Sequence, residues 1–436
     1  MKIQILPFGL VSFLLFGCAL VPTSYPPLPF LREFKVESQQ SVPFSQENAK
    51  FFAGFAKITI TPQTTQWLSG KAPRRGTKTH CDLWARCLVL RDRGGNSIAI
   101  VSLDLLGLMP SDTNKIQESV RSFFKGKILI HSTHTHSAPD TMGLWGPRLF
   151  YLIPIRSGRD EAYMNTLKEK VVGCIFDAVE REEPAIISFA QDTLEGIARG
   201  PRDMQNDESF FIMQILTKKE RILLLNFAVH PETIKQIYVT ADFLHYVYDH
   251  LGRASGSEII YINGAIGGVQ PKGLPGKINE WNNAHKLAAA MIEKTLAVLP
   301  RAKISGSNRI SWSSETVLVK TENKFWKLAT FLGLLPEERT KNGRVPVELN
   351  YLRIGDAGIL TFPGEVFPNI AVQLKAQMPD MYKLTFGLTN GELGYFLLSD
   401  DVKSGKYKYH SRVSLGPNVG DKIFKAFKKL IHSDRR

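Results

Sequence analysis

The chain has 436 residues, of which 43% are hydrophobic and 10% aromatic, and it carries a formal charge of +14. That apolar content excludes a disordered protein and is enough to bury a large core. The charge suits anionic lipid headgroups or nucleic acid. No zinc-finger spacing or RNA-binding aromatic run accompanies it, so the reading is no nucleic-acid partner.

In chain order, Lys2 is followed by an apolar run from Ile3 to Phe16 and then Gly17-Cys18. This is the plan of a secretory signal, and about fourteen apolar residues are too few to span a bilayer. Leu15-Phe16-Gly17-Cys18 resembles a bacterial lipobox, with Phe16 a departure from the usual small or aliphatic residue. That resemblance implies a lipidated Cys18 as the new N-terminus. It implies an exported, membrane-anchored lipoprotein of the cell envelope, expected at the outer membrane. Residues 19–50, with Pro22, Pro26, Pro27 and Pro29 before a polar stretch, read as a tether. Residues 51–436 read as one folded body.

Within that body a strand is expected at 55–60, ended by Pro62, and a hairpin from 85–90 and 97–102 around Gly94-Gly95-Asn96. A helix follows near 112–124, a buried strand at 128–130 and a long helix at 159–182. Further strands are expected near 185–191, 209–217, 221–229, 258–262, 308–319, 348–354 and 357–362. Further helices are expected near 279–298, 365–377 and 417–431. The pattern predicts an α/β (mixed α+β) body, a single large domain whose mixed sheet is flanked by helices. Cys81 and Cys87 would lie ~20 Å apart if extended, beyond disulfide reach, so free thiols are expected.

Four clusters can do chemistry. His131-Ser132-Thr133-His134-Thr135-His136-Ser137 follows a buried strand. In extended chain, positions i and i+2 share a face, so His134 and His136 can serve one site. His230 ends an apolar strand that Pro231 breaks, and strand ends are where α/β proteins place catalytic groups. Glu365 follows Thr361-Phe362-Pro363-Gly364 at an expected helix start, where the backbone dipole alone could account for a carboxylate. Tyr395 and Tyr407 lie in or after the glycine-bearing segment Asn390-Gly391-Glu392-Leu393-Gly394. Two histidines, a carboxylate and a fourth donor suit Zn2+, although the HExxH helix of metalloproteases is missing.

These landmarks, with Ala56–Pro62 and Asn263-Gly264 leading to Pro271, come in the order of the neutral (non-lysosomal) ceramidase family, which the chain resembles from about 54 to about 430. The resemblance implies zinc ligands His134, His230, Glu365 and Tyr395, and His136 beside the scissile amide. It implies Tyr407 at the substrate carbonyl and Arg199 as an active-site arginine, with Asn263 and Gln270 near the substrate. It implies zinc-dependent hydrolysis of an N-acyl lipid, ceramide-like, to fatty acid and free amine. Where the family has Gly-Asp-Val-Ser-Pro, this chain has Gly267-Gly268-Val269-Gln270-Pro271, which argues against a covalent serine route. The match ends near 430, so the family's C-terminal β-sandwich domain is expected to be missing. Other N-acyl substrates, or an inactive lipid-anchored binding protein, are the alternatives. Two apolar stretches, 144–154 and 325–335, read first as core and second as interfacial, the latter with the aromatic and Lys content of an interfacial helix.

Overall fold

A computed structural model describes residues 44–149, 153–273, 279–335 and 343–433. The signal, Cys18 and most of the tether lie outside the described residues.

The larger sheet contains β1 (Phe51–Thr59), β2 (Trp84–Asp92), β3 (Ser97–Leu103), β4 (Lys127–Ser132), β5 (Glu183–Thr193), β6 (Ser209–Leu216), β7 (Arg221–Phe227) and β8 (Glu258–Asn263). Its order is β8-β7-β6-β5-β1-β2-β3-β4, with a two-residue strand, Lys303–Ile304, beside β5. The β7/β8 and β3/β4 pairs are parallel, the other pairs antiparallel. A second sheet has the order β9 (Ile310–Lys320), β10 (Arg344–Ile354), β11 (Ala357–Thr361) and β12 (Tyr382–Phe386), with β11/β12 parallel.

Alternation along the strands explains the layering. Phe51, Ala53 and Phe55 of β1 share one core with Leu352 and Ile354 of β10, so the two sheets pack face to face. The other face of β1 meets α1 (Glu161–Glu180). A Cβ at Gly54 would lie 1.9 Å from the Ala178 carbonyl oxygen, so only glycine permits this approach. On the far side, Ile423, Ala426, Phe427, Leu430 and Ile431 line one face of the C-terminal helix, Val419–Ser433, against the alternate residues Val345, Val347 and Leu349 of β10. The result is four layers, helix–sheet–sheet–helix, a mixed α+β body as expected. Cys81, Cys87 and Cys174 are buried free thiols. No helix among the described residues is long and apolar enough to cross a membrane.

Two departures from the sequence reading matter. The strand Tyr382–Phe386, which follows the short helix Pro368–Lys375 after a Pro379-Asp380 break, is not among the expected strands; at five residues it is short. The stretch 325–335 was expected to be core. Instead Lys324–Phe331 is a helix with only one buried face, Trp326 and Ala329. Of the stretch 144–154, Leu144 and Trp145 are partly buried against the same core, and the rest reaches outside the fully described residues.

The carboxyl ends of β4, β8 and β12 meet at His131, which contacts the Gly387 carbonyl and the Asn263 N–H. The segments at the carboxyl ends of β4, β7, β8, β11 and β12 carry His134, His230, Asn263, Glu365 and Tyr395.

Candidate metal centre

His134 leaves β4 with φ of 67°, a left-handed backbone rare for a non-glycine residue. The expected extended i, i+2 alternation therefore fails here, yet the rings of His134 and His136 still converge, with centroids 5.0 Å apart. The left-handed turn is held by His134 N–H donating to the Leu105 carbonyl, at 2.8 Å. His134 Nδ1 lies 2.6 Å from the Leu106 carbonyl, and His230 Nδ1 lies 2.6 Å from the Val269 carbonyl. A carbonyl can only accept, so both Nδ1 atoms carry the proton, and in the neutral imidazoles Nε2 is the nitrogen that offers a lone pair. Those lone pairs face one carboxylate. His134 Nε2 stands 3.5 Å from Glu365 Oε1, and His230 Nε2 stands 3.0 Å from Glu365 Oε2.

Glu365 is not at a helix start, as expected from its Pro-Gly neighbour. It lies in a two-residue strand, Glu365–Val366, paired in parallel with Tyr395–Phe396, in the register Glu365 opposite Tyr395. That pairing sets the phenol beside the carboxylate. Burial alone would raise the pKa of Glu365, but His134 and His230 hold it well below the usual carboxylate range. Burial lowers His230, and the Glu365 carboxylate more than offsets this, so its pKa rises. Tyr395 is pushed well up by burial and by the neighbouring Glu365 carboxylate.

The donor set fits a divalent cation. Glu365 Oε2 makes no well-formed hydrogen bond despite its nearness to His230. Two inward lone pairs and a buried carboxylate repel one another unless a cation lies between them. The ligand atoms of His134, His136 and His230 all lie within 4.8 Å of one another. His136 differs from the other two, because neither of its ring nitrogens has a hydrogen-bond partner. Its Nδ1 lies 3.3 Å from Glu232 Oε2, without the geometry of a hydrogen bond. Burial, the neighbouring histidines, Lys71 and Arg74 all depress its pKa, in that order.

The third histidine of the cluster is structural. His131 Nδ1 donates to the Gly387 carbonyl at 2.8 Å, and its Nε2 accepts from Asn263 N–H at 3.1 Å. Asn263, expected near the substrate, is fully buried; its amide donates to the Thr133 carbonyl and its Oδ1 accepts from the Tyr261 hydroxyl. It supports the histidine loop and does not line the large cavity over the centre.

A cavity of about 820 Å³ opens on the centre, walled by His134, His136, Glu365 and Tyr395 at its base and by Leu144 and Trp145 along its side. Asp140 shapes that side wall. Its carboxylate accepts from the backbone N–H of Met142, Gly143 and Trp145 at 3.1, 2.7 and 2.7 Å. Asp140→Ala strands these donors, and a loss of at least about 2 kcal/mol is expected. Calorimetric melting checks this; an unchanged Tm would show that the carboxylate does not organise the loop.

Two predicted residues are placed elsewhere. The Tyr407 hydroxyl donates to the Arg202 carbonyl at 2.6 Å, and the residue does not line the cavity. Arg199 is exposed and pairs in register with Gln270 along a smaller cavity of about 310 Å³. Glu232 links the two spaces, touching His136 and lining the smaller cavity. The sequence reading gave no role to Glu232, Glu392 or Tyr409. Glu392 is buried in the cavity wall with Oε2 unpartnered, and burial and Glu365 push its pKa well up. Tyr409 lines the cavity, its ring 6.1 Å from that of Tyr395. The i, i+2 spacing of His230 and Glu232 was the one usable signal.

No family profile matches the chain, and no curated protein matches it in sequence. Among solved structures it superposes on the neutral ceramidase from Pseudomonas aeruginosa with a TM-score of 0.75 at 16% identity, covering 88% of this chain and 74% of that one. The chain has a neutral-ceramidase-like fold. A ceramidase complexed with C2 gives a TM-score of 0.73 at 15% identity, covering 88% of this chain and 75% of that one. The neutral-ceramidase-like fold accounts for the four layers.

Proposed function

We propose that the chain is a zinc-dependent amidohydrolase that cleaves the amide of an N-acyl lipid, ceramide-like, to a fatty acid and a free amine such as sphingosine. One observation carries this reading: His134, His230 and Glu365 converge, and His134 and Glu365 line an apolar-walled cavity of about 820 Å³. His134, His230, Glu365 and Tyr395 would hold the ion. Bound there, Zn2+ supplies Lewis acidity to water and to an amide carbonyl.

The chain's own groups do the rest. The Leu106 and Val269 carbonyls fix both imidazole tautomers so that Nε2 faces inward. His136, unprotonated near neutral pH, takes a proton and passes it to the leaving amine, with Glu232 at its Nδ1. Tyr409, on the cavity wall, is better placed than Tyr407 to donate to the developing oxyanion, a contribution typically of ~3–4 kcal/mol. Arg199 and Gln270, in the smaller cavity, are assigned to a remote part of the substrate. The lipobox-like leader supports an anchored lipoprotein, with Cys18 lipidated and residues 19–50 as tether.

The test is fatty-acid release from ceramide, N-acyl amino acids and other N-acyl lipids by the full chain. Cleavage should stop on chelation and return with Zn2+. If no amide in the panel is cleaved by zinc-loaded protein, the hydrolase reading is lost, and a lipid-anchored binding protein of this fold takes its place.

A further inference from the structure

The helix Lys324–Phe331 turns its apolar residues outward. Phe325, Leu328, Phe331 and Leu332 are 51%, 55%, 85% and 50% exposed. Their spacing of three, six and seven residues from Phe325 puts them on one face. Trp326 and Ala329 fill the core from the other face. A surface helix normally shows water its polar side, so four neighbouring large apolar side chains in solvent mark a surface that has a partner.

The surroundings say which partner. Lys324 and Lys327 on this helix and Lys408 and Arg412 on the adjoining helix, Lys408–Val413, are exposed, and neither helix carries an acidic residue. The Asn323 amide joins the two helices by donating to the Arg412 and Ser414 carbonyls at 2.6 Å each. Tyr409, 65% exposed, adds an amphipathic ring beside them. Apolar side chains rimmed by lysine and arginine, with an aromatic hydroxyl at the border, match the boundary between acyl chains and anionic headgroups. A second copy of the chain would set these cations against their own kind. The same two helices wall the large cavity through Phe325, Trp326, Tyr409 and Arg412.

We propose that this face docks on an anionic phospholipid bilayer and seats the mouth of the cavity at the membrane surface. The proposal deepens the lipid-substrate reading and rests on it for its purpose, but its test needs no turnover. A nitroxide attached at Phe331→Cys in the full chain reports the polarity around the patch; the parent chain supplies the background. A second label at Lys218→Cys serves as reference, because Lys218 precedes the start of β7 and so lies at the opposite end of the strand from His230.

On vesicles of phosphatidylglycerol and phosphatidylcholine, the ratio of collisions with oxygen to collisions with a water-soluble nickel chelate should rise several-fold at 331 and stay flat at 218. The effect should weaken in high salt and on vesicles of phosphatidylcholine alone. A label at 331 that stays in water on vesicle-bound protein overturns the proposal. So does a label already shielded before vesicles are added, with the mass of a dimer in sedimentation. Either result leaves the substrate panel to stand or fall separately.

Discussion

Replacing His134 with alanine is expected to remove the metal and the hydrolytic activity together. Elemental analysis of the purified wild type should find about one zinc per chain, and the variant should hold only background. The expectation follows from how the imidazole is fixed. Its Nδ1–H is committed to the Leu106 carbonyl, its backbone sits at φ of 67°, and its Nε2 faces Glu365. Alanine in that left-handed position keeps the strain and loses the ligand, so some destabilisation accompanies the change. Glu365→Gln provides the cleaner comparison. It keeps the volume and removes the charge, leaving two inward lone pairs with no anion to share the cation. Zinc affinity measured against a competing chelator should fall steeply while the far-ultraviolet spectrum stays native. Chelating the wild type should also lower its melting temperature, since an ion that binds only the folded chain stabilises it. Variants that keep both the metal and wild-type turnover would remove His134 and Glu365 from the site.

Much of this site was legible because its residues sit where strand patterns end. His134 and His230 follow apolar runs, and Glu365 follows a Pro-Gly break, so each was visible as chemistry at a strand terminus. Their convergence was not visible from spacing, since it depends on tertiary contacts between strand ends more than a hundred residues apart in the chain, such as His131 to the Gly387 carbonyl and the Asn263 N–H. The rest was hidden for local reasons. The left-handed turn at His134 follows no glycine or proline signal. Glu365 pairs with Tyr395 through two-residue strands, too short to show periodicity. The outward apolar face of Lys324–Phe331 defeated the rule that apolar runs pack inside, because only one of its faces does so.

Tyr407 and Tyr409 show the limit of carrying a role by interval alone. Twelve residues after Tyr395 stands Tyr407, whose hydroxyl is engaged by the Arg202 carbonyl. Two residues later Tyr409 lines the cavity. The short helix Lys408–Val413 begins between them, so the chain changes direction there and the neighbouring side chains part company. Gly268 is a similar case. It has φ of 73°, and a Cβ there would lie 3.0 Å from Pro201 and 3.3 Å from His410 Nε2. A side chain at that position would be strained and crowded, so the glycine belongs to the turn that presents the Val269 carbonyl to His230.

His136 is expected to govern turnover without governing metal retention. Its two ring nitrogens are free of hydrogen-bond partners, whereas those of His134 and His230 are tied to carbonyls on the Nδ1 side. Ligand imidazoles need that support to hold their tautomer, and a proton carrier needs the freedom His136 has. His136→Gln should therefore lower kcat by about 10²–10⁴-fold, the usual contribution of a positioned acid–base group, with zinc content unchanged. Gly70→Ala makes the same point from the opposite side of the ring. Gly70 has φ of 89°, and a Cβ there would lie 2.5 Å from His136 Cγ, so the imidazole must move. That variant should lose turnover, keep zinc and leave His134 and His230 undisturbed. The pH profile separates proton transfer from mere crowding. Burial and the cationic neighbours lower the His136 pKa, so the base form persists to pH values below the ordinary imidazole value of 6.5, and the acid limb of kcat should lie below that value. His136→Gln should abolish this limb, whereas Gly70→Ala should shift it. If zinc instead leaves with His136, then the three imidazoles, already within 4.8 Å of one another, form the ligand set themselves. The proton would in that case have to pass through Glu232 or Tyr409.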